Sequence, residues 1–198
     1  MNARLERAFA AIDAANADDP NTLVVRGETR PKEQAHAEIA CEWVARLAPD
    51  APDSLQVAAR AHHVRRWAIP RSDYPSGRSG YLRWRKALQK LHAETVREIL
   101  TAQGWPREEI GAVEAFVTKR GLGRDSNAQV LEDVICLVFV ETQLATTADR
   151  LADDRMVEVI AGTLAKMSDD GRAAAFTIEL EGRDAALVAR AAERHAAS

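Results

Sequence analysis

Apolar residues recur every three or four positions along most of this chain. Residues 3–16 set Leu5, Ala8, Phe9 and Ile12 on one stripe, the signature of an amphipathic helix. Pro20, Gly27 and Pro31 break the pattern over residues 18–31. The stretch 32–48 is helical again, with Ala40, Val44 and Leu47 on its buried face. After a loop bounded by Pro49 and Pro52, the pattern predicts a helix from Ser54 to Trp67, stopped by Pro70. Residues 68–80 hold two prolines and two glycines and predict irregular chain.

A long helix follows from Tyr81 to Gln103, ended by Gly104. Pro106 with acids close behind marks another helix start. Residues 128–152 are the most apolar stretch and predict a central helix, despite the β-branched run Val134–Val140. Two or three further helices complete the chain, the alanine-rich tail forming a surface helix. "TLVV" at 22–25 is too short to build a sheet. The expectation is an all-α, single-domain helical bundle over residues 1–198. Its core covers about 31–152, with helices 153–198 packed on it.

Composition narrows the class. Hydrophobic residues are 46% and charged residues 29%, the balance of a globular chain. The formal net charge of −3 excludes a general polycation. No apolar run approaches a membrane span, and the first residues lack a signal-peptide pattern. Cys41 and Cys136 both lie in apolar helical patterns and predict core thiols in a reducing compartment. A cytoplasmic location is expected. "GLGRD" lacks the context of a dinucleotide loop, and no Ser or Cys sits in a nucleophile elbow.

Histidine placement carries the chemistry. Four of the five histidines lie between residues 36 and 92: His36, the adjacent pair His62 and His63, and His92. Asp133 lies inside "VLEDV". Single ligands from several helices are how an α-bundle builds a metal site. Imidazole with a carboxylate suits Zn, Fe, Mn, Ni or Co better than Ca. Neighbours on a helix point about 100° apart, so one of His62 and His63 is free to face elsewhere. Glu33, three residues before His36, either orients it or forms a surface pair. Glu132 predicts a surface or outer acid, and the tryptophans predict core residues.

Between Arg65 and Lys86 stand seven basic residues (Arg65, Arg66, Arg71, Arg78, Arg83, Arg85 and Lys86) against one acid, Asp73. Arginine forks match phosphate oxygens. Trp67, Tyr74, Tyr81 and Trp84 are interleaved and suit stacking on a base. The alternative is a solvated face, or pairing with the acidic helices.

A His, then the pair His62-His63 closing an apolar lead-in, then an acid in "VLEDV", resembles the HD-domain phosphohydrolase superfamily. The departure is His63, where that superfamily carries Asp. The resemblance implies an HD-like fold with a divalent transition metal (Mn, Fe, Ni, Co or Zn) on His36, His63 and Asp133. It places His62 and His92 as further ligands or acid–base groups. Arg66, Arg71, Arg78 and Arg85 would then hold the phosphates of a nucleotide or another phosphorylated small molecule. The stretches "AHHVRRWAIPRSDYP", "GYLRWRKALQKLHAE", "QVLEDVICLVFVE" and "LAKMS" are similar to domain-of-unknown-function family 4202 over most of the chain. That resemblance implies no activity, but makes His63 the characteristic member of the pair. Two alternatives share the scaffold: a nucleotide- or RNA-binding module without hydrolase activity, and an iron-dependent oxygenase.

Overall fold

The computed structural model describes residues 2–196 and is mostly helical, with one two-stranded sheet. The chain packs as two compact units, one up to Leu131 and one from Glu132 onward.

The first unit opens with helix α1, Ala3–Asn16, whose stripe Leu5, Ala8 and Ile12 is buried as its periodicity predicts. Asn2 caps it by accepting the Leu5 N–H. The next stretch corrects one expectation: "TLVV" does build a sheet. Strand β1, Thr22–Val25, pairs antiparallel with β2, Glu28–Pro31, with Val25 opposite Glu28. The two-residue turn Arg26-Gly27 has φ of 53° and 82°, the left-handed geometry that tight hairpins need. A two-stranded ribbon is marginal alone. This one is tied to helix α2, Lys32–Leu47, by Arg26–Glu42 and Arg30–Glu38 ion pairs in which both arms of each arginine engage.

Helix α3 runs only Asp53–Ala61, short of the expected Trp67. The cause is tertiary. Arg65 takes φ 53° and ψ 31°, and its N–H donates to Asn16 Oδ1 at 3.0 Å. A 3-10 turn at Arg66–Ala68 follows, then another at Arg71–Asp73. Helix α4 starts at Gly77, earlier than Tyr81, and runs to Ala102. Its first turn needs Gly80, because a Cβ there would sit 1.9 Å from the Pro75 carbonyl oxygen. Helix α5, Arg107–Val117, completes the packing of this unit with Ile110, Val113 and Phe116 inward.

Helix α6, Ser126–Thr142, crosses the unit boundary. It ends before the expected 152: Gln143 leaves helical geometry and α7 covers Leu144–Ala148. The β-branched run nevertheless stays helical. The second unit adds α8, Asp153–Leu164, α9, Asp169–Ala175, and α10, Gly182–Ala196. The alanine-rich α10 buries Leu187, Val188 and Ala191, and Arg183 and Arg190 pair with Asp153 and Asp154 of α8. Trp43 and Trp105 are core residues, whereas Trp67 and Trp84 are half-buried. Cys136 is buried and Cys41 half-buried. Among the described residues, no helix is long and apolar enough to cross a membrane.

Candidate metal centre

Three elements of the first unit bring four histidines together. Glu33 and His36 lie one turn apart at the start of α2. His62 and His63 close α3, and His92 lies midway along α4. The His63 ring is the hub: its centroid is 4.2 Å from His62, 6.0 Å from His92 and 6.3 Å from His36.

Glu33 is the carboxylate of this group. It is buried at 4% exposure, which corrects the surface-pair reading. Its Oε2 lies 3.1 Å from His36 Nδ1 and 3.3 Å from His63 Nδ1. One ligand atom each from Glu33, His36 and His63 fall within 4.8 Å of one another. Burial by itself would raise the Glu33 pKa, but the close contacts and charges of His36 and His63 hold it well below the ordinary carboxylate range. A buried anion thus faces two imidazoles.

Backbone carbonyls orient two of the rings. His62 Nδ1 donates to Ala59 O at 2.8 Å, and His92 Nδ1 donates to Val64 O at 2.8 Å. With the proton on Nδ1, Nε2 of each neutral ring carries a lone pair. This is the tautomer that metal-binding proteins impose on ligating histidines. Burial lowers both rings to about 4, against the upward pull of those carbonyls and of Glu33. Burial, then the charges of His62 and Arg66, also put His63 well below its usual value. His62 Nε2 and His63 Nδ1 are buried with no aligned hydrogen-bond partner. Such atoms cost stability unless something satisfies them. The side chain of His63 keeps 21% exposure, so the cluster reaches solvent through it.

Two polar residues, Asn16 at the end of α1 and Asp19 in the loop just after it, hold this geometry, and sequence reasoning missed both. Asp19 Oδ2 accepts the Glu33 N–H at 3.0 Å, which caps the start of α2. Asn16 Oδ1 holds the turn at Arg65, just after the histidine pair. Nothing local in "NADD" signals either partner, since both lie more than ten residues away.

Asp133, the expected acidic ligand, belongs to the second unit. There its Oδ1 accepts the Ser168 N–H at 2.9 Å and its Oδ2 accepts the Ser168 hydroxyl at 2.5 Å. Ser168 in turn caps α9 through Gly171 N. A Cβ at Gly171 would come 2.5 Å from the Asp133 carboxyl carbon, so glycine lets the acid sit against α9. Glu132 is buried, not a surface acid.

The expected phosphate-binding arginines divide by environment. Arg66 is half-buried, its guanidinium 4.7 Å over the Trp84 ring. Burial lowers its pKa, partly offset by the charge of Glu33. Arg71 ties down its own loop by donating to the Tyr74 and Pro75 carbonyls. Arg78 is exposed, and Arg85 lies 5.8 Å over the Tyr81 ring. Trp84 Nε1 donates to Ile69 O at 2.8 Å, fixing that ring.

The donor set of one carboxylate and imidazole nitrogens fits a divalent transition metal. The buried His62 Nε2, which has no hydrogen-bond partner, lies beside the Glu33–His36–His63 group and is the observation that favours one. No curated protein and no solved structure matches the chain. The model of the family described as "Domain of unknown function (DUF4202)" matches residues 6–188, and the chain belongs to that family.

Proposed function

We infer that this chain is a metal-dependent phosphoester hydrolase on an HD-like helical scaffold, acting on a nucleotide or another phosphorylated small molecule. The observation that carries this reading is the Glu33–His36–His63 group, with the buried, unpartnered His62 Nε2 beside it and Arg66 close by. Glu33, His36 and His63 would hold a divalent transition metal. When bound, such an ion polarises a phosphoryl oxygen and lowers the pKa of a water to about 7.

The chain's own residues supply the rest. The Glu33 anion offsets part of the ion's charge and keeps the His36 ring oriented. His62 and His92, neutral with Nε2 lone pairs, are proton acceptors beside the hub. Arg66 offers a guanidinium that no carboxylate neutralises, and Arg78 and Arg85 extend the positive field for a phosphate. The HD-like reading rests on the order His36, His62-His63 and Asp133.

Elemental analysis of protein purified without added metal tests this. The expected result is bound transition metal in wild type, lost in Glu33→Ala and in His63→Ala. Hydrolysis of p-nitrophenyl phosphate and bis(p-nitrophenyl) phosphate should follow metal content. Asp133→Ala is the control among the carboxylates: it should keep its metal, because Asp133 holds Ser168 and Glu33 is the acid of the group. No bound metal, together with no phosphoester hydrolysis after adding Mn, Ni, Co or Fe, overturns the reading.

A further inference from the structure

The seven cations between Arg65 and Lys86 have a property the sequence does not display. Among the described residues, none of them pairs with a carboxylate. Arginines elsewhere, such as Arg4, Arg26, Arg30, Arg60 and Arg97, do pair. The one acid of the stretch, Asp73, takes its hydrogen bond from the Ser72 hydroxyl. Unneutralised charge is therefore concentrated on one stretch of a chain whose net charge is negative.

Aromatic surface runs through it. Tyr81 is 43% exposed and Leu82 52% exposed, both on the first turns of α4. Tyr81 packs 5.9 Å from Trp84, and Trp84 carries Arg66 on its face. Arg66 is the link inward, close enough to feel the charge of Glu33 and to act on His63 and His92. Ring and cation contacts thus run from Tyr81 through Trp84 to Arg66, whose charge acts on the histidine hub. Arg78 to Lys86 spans about 12 Å of helix axis, and Arg66 adds a further cation against it, on the Trp84 ring. That is more length and more cation than one mononucleotide can engage. A membrane surface would want a long apolar stripe, and here Tyr81 and Leu82 are the exposed large apolar side chains among the charges.

We propose that the start of α4 and the turn before it bind a single-stranded polynucleotide, with Tyr81 stacking on a base and Arg78, Arg85 and Lys86 following the backbone. Arg66 would lead a strand phosphate to the Glu33–His36–His63 group. Only this last placement rests on the hydrolase reading; binding itself does not. Phosphates tracked by unpaired cations and bases stacked on an exposed ring are how sequence-tolerant strand binding works.

Fluorescence anisotropy with labelled 12-nucleotide RNA and DNA strands tests it, on the full chain in EDTA. Binding should weaken steeply between about 50 and 200 mM salt. Arg78→Ala with Arg85→Ala should weaken it at least tenfold and flatten the salt slope by about 1.4, the loss of two phosphate contacts. Tyr81→Ala should cost about tenfold and Tyr81→Phe little, because phenylalanine keeps the stacking face. Unchanged thermal melting of the variants separates lost binding from lost fold. Absence of strand binding at low salt overturns the proposal. So does equal affinity for a mononucleoside triphosphate, for duplex, or for a poly-glutamate chain, or an unchanged affinity in the variants. Wild type and His63→Ala should bind alike in EDTA, so failure of the metal reading leaves this result standing. Conversely, the arginine variants should keep wild-type metal content, so failure here leaves the metal reading to its own test.

Discussion

Two cation-rich faces of the first unit use arginine in opposite ways. On the hairpin side, Arg26 is paired with Glu42, Arg30 with Glu38, and Arg60 with Asp13 at 2.5 Å. On the α4 side, among the described residues, no cation from Arg65 to Lys86 pairs with a carboxylate; Arg66 and Arg85 stack on Trp84 and Tyr81, and Arg71 holds backbone carbonyls. The first face holds α1, the hairpin, α2 and α3 in register. The second keeps its charge unneutralised. The histidine cluster draws on elements of both, with Glu33 contributed by α2 and Arg66 by the turn before α4.

The difference can be broken experimentally. The largest effect lies at the cluster itself. His62 and His92 are held neutral with values near 4, against about 6.5 in an unfolded chain. Between those values the unfolded chain binds protons that the folded one refuses. Their contribution is therefore complete above about pH 6.5 and is lost as the pH falls towards 4, on the order of 3 kcal/mol for each ring. Thermal melts of apo protein from pH 7.5 to 4.5 should show a steep fall, and His62→Gln with His92→Gln should flatten it. A melting temperature indifferent to pH across that window would remove the buried-neutral reading.

Next comes the loop that joins the cluster to the open face. Gly80→Ala forces a Cβ against the Pro75 carbonyl, and backbone cannot retreat as a side chain can. A loss of about 3 kcal/mol by urea unfolding is expected. A smaller loss falls on the paired face. Arg60→Ala removes two hydrogen bonds to Asp13 from a side chain only 12% exposed, for about 2 kcal/mol in the same assay. The smallest effect sharpens the contrast: Arg78→Ala and Arg83→Ala should each stay within about 0.5 kcal/mol of wild type. A larger loss would mean that the α4 cations stabilise the fold, as those of the hairpin do.

Much of the helical content was legible from periodicity. The stripe Leu5, Ala8 and Ile12 is buried as read, and α5 begins behind Pro106. Helix ends were less legible. The pattern runs unbroken from Ser54 to Trp67, yet α3 stops at Ala61 because Asn16, from another helix, takes the Arg65 N–H. The hairpin was hidden for a related reason: four apolar residues are no sheet until Glu42 and Glu38 secure the arginines on the turn and on the second strand. In the candidate centre, clustering of His36, His62, His63 and His92 follows the expected order, whereas the carboxylate found beside them is Glu33. Its i,i+3 spacing to His36 was visible, but its burial was not.

By itself, then, the sequence determined the helical class, the grouping of four histidines with a basic aromatic stretch, and membership of a family. Those are properties of residue order and local periodicity. Only tertiary structure decided which acid joins the imidazoles, which ring nitrogens carry the protons, and which cations find partners. Each of those depends on atoms brought within about 3 Å from distant parts of the chain, a distance at which hydrogen bonds and desolvation act and sequence spacing says nothing.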